Sequence, residues 1–272
     1  MKRTASNNRF ILIFTILLII LLVGGSLLPL VGNVFQSDRT SRRTTATPTP
    51  QLSPVQQENL EDKARGYELV LQREPENATA LQGLIEVRLE QGKLDLALPA
   101  LERLAESHPQ QPDYTILLAQ AKEYLGDAEG AFQAYDRILG FNPGYIKALQ
   151  GMVALQLQKN RPERAIGLLQ TTLQTAAQAN AVTPDSIDVA SVQMLLGRVY
   201  ENQERYTEAI AVYDKIIETN DSDFRPVWAK AEIFKQQGEI DKAKPLYTRA
   251  VTLAPPKYKD QIKQLSEQID EE

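Results

Sequence analysis

Cysteine is absent from this chain. Its absence excludes disulfides, thiolate metal ligands and cysteine nucleophiles, and leaves the compartment open. Histidine occurs once, as His108, which leaves little for imidazole acid–base chemistry or a histidine-rich metal site. His108 precedes Pro109 at a helix end, where a cation suits the helix dipole, so we read it as a capping residue. No glycine-rich phosphate loop, nucleophile elbow, zinc-ligand spacing or paired-carboxylate motif occurs. The expectation is a protein that is not an enzyme, with no catalytic residues, no cofactor, no metal and no small-molecule substrate. A net positive charge is also lacking from the body of the chain. Residues 1–50 carry a net charge of +5, and residues 51–272 carry −10. A body this acidic argues against nucleic-acid binding, which needs a basic footprint.

The one long uncharged stretch is Phe10 to Phe35, in which 19 of 26 residues are Leu, Ile, Val or Phe. On an insertion scale those residues supply roughly −6 to −11 kcal/mol before the polar positions are subtracted. About 20 apolar residues cross a hydrocarbon core, so Phe10–Val31 is expected to span a membrane once, within an anchor of residues 10–35. Gly24, Gly25 and Pro29 are tolerated near its far end. The alternative is a signal peptide cleaved after Gly25, which would release a secreted or periplasmic adaptor. The apolar run is long for a signal core and resumes beyond the cleavage point, which favours the anchor. Lys2, Arg3 and Arg9 in the tail (1–9) nearly balance Arg39, Arg42 and Arg43 beyond the span. The short basic tail tips the orientation toward an inside N-terminus and non-cytoplasmic repeats, in a plasma or thylakoid-type membrane. Residues 36–53, rich in Ser, Thr, Pro and Arg, read as a flexible tether.

Beyond the tether the chain is periodic. Ala97, Ala131, Ala165, Ala209 and Ala243 stand 34, 34, 44 and 34 residues apart, and Ala64 stands 33 before the first. A period near 34 marks stacked helix pairs. Ser53-Pro54 is a helix-start pair, followed by Leu60, Ala64, Tyr67 and Leu71 at helical spacing, so residues 54–75 read as an N-terminal capping helix. In the first full unit, Leu81, Leu84, Ile85 and Leu89 form one stripe, Gln91-Gly92-Lys93 breaks it, and Leu96, Ala97, Leu101 and Leu104 form a second. The units fall at 78–109, 112–143, 146–179, 190–221 and 224–255. The 44-residue step places an insertion near 178–187, where Thr183-Pro184-Asp185 is turn chemistry, and the preceding helix can run long. Residues 256–272 read as a C-terminal capping helix with Tyr258, Ile262, Leu265 and Ile269 on one face. Stacked pairs bury a continuous core that no single pair can bury alone.

The units resemble tetratricopeptide repeats. LLGRVYENQERYTEAIAVYDKII (Leu195–Ile217) matches that pattern well, as do AKAEIFKQQGEIDKAKPLYTRAVTLAP (Ala229–Pro255) and GDAEGAFQAYDRILGFNP (Gly126–Pro143). Ile85 and Val153 replace the usual glycine, and Ala177 and Asp221 replace the final proline. The resemblance implies an all-α, right-handed superhelical solenoid of antiparallel helix pairs, preceded here by one transmembrane helix. It further implies a concave groove lined by first helices that takes a peptide or a partner helix. The groove positions it implies are Gln82, Glu86, Asp113, Gln120, Lys147, Gln150, Met194, Arg198, Arg225, Trp228 and Lys235. The later positions are basic around an aromatic, so the expected partner is a protein segment with acidic and apolar residues. No carboxylate clamp of the heat-shock co-chaperone kind is present across consecutive units. The expectation is a membrane-anchored scaffold that recruits or assembles other proteins, similar to factors of photosynthetic or envelope complexes. The glutamine-rich, cysteine-free, acidic composition suits a photosynthetic bacterium.

Overall fold

The computed structural model describes residues 52–270. The tail, the apolar segment and residues 36–51 of the tether lie outside the described residues. Among the described residues, no helix is long and apolar enough to cross a membrane. Those residues form twelve helices: α1 (Pro54–Arg73), α2 (Ala78–Glu90), α3 (Leu94–Ser107), α4 (Pro112–Tyr124), α5 (Ala128–Phe141), α6 (Ile146–Gln158), α7 (Pro162–Val182), α8 (Val189–Asn202), α9 (Tyr206–Thr219), α10 (Phe224–Gln236), α11 (Ile240–Leu253) and α12 (Pro256–Asp270). The chain divides into two compact units, one up to Ala134 and one from Tyr135. Within each, helices pack on their neighbours in sequence.

Local chemistry explains the helix ends. Ser53 caps α1 in a reciprocal box with Gln56. Asn77 caps α2 through Ala80, Asp188 caps α8 through Ser191 and Asp223 caps α10 through Arg225. Each first helix stops in the same way. Gly92, Gly126, Asn160, Glu204 and Gly238 all have positive φ, between 55° and 82°. After each, the next N–H reaches back to the carbonyl of Arg88, Lys122, Gln156, Tyr200 or Phe234, at 2.8 to 2.9 Å. This is a Schellman closure, and it turns the chain into the second helix.

All five period-marking alanines are fully buried, so second helices approach first helices closely. The stripe of α3 differs from its expectation in one place. Leu96 is 46% exposed, and Leu94 fills the core instead, at 5%. The large core side chains form a second series: Tyr67, Leu101, Tyr135, Leu169, Tyr213 and Tyr247, spaced 34, 34, 34, 44 and 34. In α1 it is therefore Tyr67 and Pro75 that keep the period, and Ala64 is one residue out of step. A Cβ built on Gly83 would overlap the ring of Tyr67, one on Gly151 the ring of Tyr135, and one on Gly197 the ring of Tyr213. Ile85 and Val153 stand at the place where Gly197 meets Tyr213. The corresponding large residues of their own second helices are the smaller Leu101 and Leu169, while Gly83 and Gly151 meet the tyrosine of the preceding second helix.

The insertion begins with a long α7 that carries on to Val182. Asn180 then clamps the return. Its side-chain amide donates to the Ile187 carbonyl at 3.0 Å, and its carbonyl accepts from the Ile187 N–H at 2.9 Å and the Ser186 hydroxyl at 3.0 Å. Ile187 is buried against Gly144, where any side chain would strike the Ser186 carbonyl.

Two substitutions test this packing in opposite directions. Glu204→Gly removes a left-handed non-glycine residue and is expected to raise stability by about 1 kcal/mol. Gly151→Ala forces a methyl into the Tyr135 ring and is expected to cost about 1–3 kcal/mol. Thermal denaturation followed by circular dichroism measures both.

Candidate protein-binding surface

In the unit up to Ala134, Gln82, Glu86, Asp113 and Gln120 are all half-buried on first helices. Gln82 donates to the Tyr114 hydroxyl at 2.7 Å. Burial raises the Tyr114 pKa, with the bond from Gln82 opposing the rise. His108 ends α3, with Nδ1 3.2 Å from the Leu104 carbonyl and the ring edge-on to Tyr114 at 5.6 Å.

A charged network that the sequence reading missed lies behind this face. The Arg88 side chain is 7% exposed and bonds Glu61 and Glu68 of α1, each at 2.8 Å. Bonds from Arg88, Gln91 and Lys93 pull the Glu61 carboxyl down to about 2. Lys122 repeats the arrangement one unit later, reaching Glu102 at 2.8 Å. Arg88 interrupting an apolar stripe, with a carboxylate 20 residues earlier in each case, was the available signal.

In the unit from Tyr135, Lys147 and Gln150 are exposed on α6, Met194 is half-buried and Arg198 exposed on α8. On α10, Arg225 is exposed, and Trp228 and Lys235 are half-buried. Arg225 grips Asp223 through Nε and Nη2, at 2.9 and 2.7 Å. Burial pushes the Asp223 pKa up, but the Arg225 bonds outweigh it and the net shift is down. Much of the charge of Arg225 is thereby neutralised locally. Trp228 donates its indole N–H to Glu232 Oε1 at 2.8 Å, and the Tyr247 hydroxyl donates to the same oxygen at 2.7 Å. One repeat earlier, the Tyr213 hydroxyl donates to Glu201 at 3.1 Å. Burial raises the Glu201 pKa, Tyr213 and Arg198 lower it, and Glu232 raises it. The Tyr213 and Tyr247 hydroxyls are pushed far up, first by burial and then by these carboxylates.

The structure therefore gathers Arg198, Glu201 and Tyr213 on one repeat and Trp228, Glu232 and Tyr247 on the next. The sequence reading selected Arg198 and Trp228 and passed over the two glutamates. Tyrosine at the large core position was the signal, since a buried hydroxyl needs an acceptor. The glutamates meet that need; Arg198, whose charge acts on Glu201, is exposed on α8, and Lys235 is half-buried on α10.

Helix pairs at a fixed period, presenting polar first-helix faces, define a scaffold of the repeat class. Among the described residues, no group of three or more acidic or imidazole side chains converges to hold a metal ion. The chain belongs to the tetratricopeptide repeat family: models of that description match residues 56–112 and 83–146, then 124–183, then 190–223 and 226–257.

Among curated relatives, protein SLOW GREEN 1, chloroplastic, of Arabidopsis thaliana is 26% identical over 204 residues, which are 75% of this chain and 63% of that protein. Protein CTR9 homolog of the same plant is 28% identical over 102 residues, 37% of this chain and 9% of that protein. The chain thus spans less than two thirds of either relative. Of solved structures, yeast Tom70 shares the fold, with a TM-score of 0.53 and 15% identity over 81% of this chain and 44% of that one. A thermophilic tetratricopeptide repeat protein of Thermus thermophilus is 23% identical, with a TM-score of 0.44, over 71% of this chain and 98% of that one.

Two pH dependences follow from the network and the cluster. The Glu61 carboxyl is depressed, so its stabilisation is complete above its ordinary value of 4.5 and is lost as pH falls toward about 2. Glu61→Gln should destabilise the chain on the order of 1 kcal/mol at neutral pH, an amount discounted for exposure, and hardly at all at pH ~2. Glu201 has the opposite sign. Its pKa is raised, so ionisation on the alkaline side is what costs. Tyr213→Phe strips a donor from this carboxylate and should cost about 1–2 kcal/mol at pH ~7. The cost should be smaller at pH ~4, where the buried group is protonated. Urea denaturation at each pH checks both.

Proposed function

We propose that this chain is a single-span, membrane-anchored tetratricopeptide scaffold that recruits partner proteins to a bilayer through its first-helix surface. The repeats supply a protein-binding scaffold. The uncharged Phe10–Val31 supports the anchor, and the Ser/Thr/Pro-rich stretch after it supports a tether holding the repeats off the membrane.

The observation that carries the choice of surface is the cluster on α8 and α10. Trp228 is half-buried with its N–H already directed to Glu232. Glu201 and Glu232 are occupied by tyrosine hydroxyls. Arg198 is exposed on α8, and Lys235 is half-buried on α10. Such a surface suits a partner segment with acidic residues beside apolar ones. Met194 and Trp228 receive the apolar residues, and Arg198 and Lys235 receive the acidic ones. Gln82, Glu86, Gln120, Lys147 and Gln150 extend the recognition surface along the earlier repeats, where its character is neutral or acidic.

Assembly or upkeep of a membrane-associated complex, photosynthetic or of the envelope, is the role this architecture serves. The relative named for the chloroplast is in keeping with a photosynthetic setting. The repeats stand on the non-cytoplasmic side in this reading.

Crosslinking and capture from native membranes test the function. Arg198→Glu should reduce the captured partner at least tenfold, and Trp228→Ala should do the same. Arg225→Glu, which also breaks the pair with Asp223, should reduce capture as well. Unchanged capture in the Arg198 and Trp228 variants contradicts the surface. An intact mass beginning at Ser26 contradicts the anchor and supports a released adaptor, and protease shaving of sealed vesicles reads the orientation.

A further inference from the structure

The first described helix has a face that its own repeat does not cover. Tyr67 and Pro75 place α1 in the register of a second helix. In that register Val70 corresponds to Leu104, Ile138, Thr172, Ile216 and Ala250. Those five are at most 6% exposed, whereas Val70 is 41% exposed. Each of the five lies on a second helix that follows its own first helix. For α1 that space is empty among the described residues, because Ser53 and Pro54 open α1 where its first helix would still be running. Leu69 and Val55 extend the bare face, at 62% and 66% exposure. Gly66 stands between them with nothing within 4 Å of an added Cβ. An exposed glycine inside a helix is unfavourable relative to alanine, and among the described residues nothing packs on it to offset that.

We propose that a second copy of this chain covers this face, with the two α1 helices packed antiparallel about a two-fold axis. The pattern along α1 is self-complementary. With the axis between Asp62 and Lys63, Val55 meets Val70 of the partner subunit, Asn59 meets the partner's Gly66, and Asp62 meets the partner's Lys63. The valines then face each other, and Leu69 lies over the partner's Gln56. Asp62, bonded to Arg65 of its own helix at 2.8 Å, faces the partner's Lys63, and the glycine lets the backbones close. The C-terminal helix α12 offers no such match, since Lys257, Lys259, Asp260, Gln261 and Lys263 keep its outer side polar and exposed. A helix of 20 residues is about 30 Å long, a contact smaller than a standard interface. The dimer is therefore weak in solution and favoured where chains are concentrated, as on a membrane.

The chain has no cysteine, so single substitutions report without background. The full chain is studied in detergent and in its host membranes. Val55→Cys and Val70→Cys chains, expressed together, should form a disulfide with each other. Lys63→Cys should link to itself, and Gln264→Cys on α12 should not link. In sedimentation, Val70→Glu should raise the dimer dissociation constant at least tenfold with helix content unchanged. A wild-type chain that stays monomeric overturns the proposal. So does a dimer that Val70→Glu leaves intact, or Gln264→Cys linking as readily as Lys63→Cys. A monomer whose Val70→Cys thiol resists alkylation places the chain's own N-terminal residues on this face, and that outcome also overturns it.

Discussion

The fold depends on one recurrent contact: a large side chain in the middle of each second helix, seated where a first helix offers little or no side chain. The side chain is flanked by two first helices: Tyr135 lies over Gly151 of the next one, and Tyr213 lies over Gly197 of the one before it. The pairing is matched in size along the chain. Tyr67 meets Gly83, while Leu101, smaller than tyrosine, has Leu117 at the corresponding place in the following helix, in the same apolar cluster. Interiors packed to crystal-like density do not tolerate a mismatch of this kind, so each pair of positions constrains the other. The alanines that first reveal the period serve this contact by letting the backbones close in.

The same contact gives the candidate surface its chemistry. A leucine at the large position buries nothing polar. A tyrosine brings a hydroxyl, which must find an acceptor at the edge of the core. Glu201 and Glu232 take that role, and in doing so they are withdrawn from the surface beside Arg198 and Trp228. Packing and the placement of charge are thus linked on α8 and α10. The aromatic at the core fixes where the carboxylates of Glu201 and Glu232 sit. Behind the first unit, Arg88 and Lys122 show the same coupling with other residues: a cation set into the stripe between helices is held by a carboxylate from the helix before it.

Much of the fold was legible in the sequence because stacked repeats write one packing rule several times. The alanine series, the turns at Gly92, Gly126 and Gly238 and the amphipathic stripes each occur at a fixed period, so a weak local signal becomes strong by repetition. Where a unit departs from the rule, legibility falls. Asn160 and Glu204 both hold a left-handed turn without glycine; asparagine suits that conformation, whereas the residue type of Glu204 does not announce it. Leu96 fits a helical stripe yet faces solvent, because Leu94, two residues earlier, takes the core position. The surface was less legible still. First-helix register named Arg198, Arg225 and Trp228, but whether Arg225 is paired with Asp223, and which oxygen satisfies Tyr247, are matters of three-dimensional contact that periodicity does not encode. The charge left for a partner follows from those contacts and not from composition.

Under the proposed function the working surface is the first-helix face of the fourth and fifth repeats. Site-specific photocrosslinking in native membranes tests that most directly. A photoreactive residue in place of Arg198 on α8 is compared with one in place of Lys215, which is exposed on the second helix α9. The account predicts a discrete protein adduct from position 198 and none from position 215. Adducts from position 215 alone, or the same adducts from both, would contradict it.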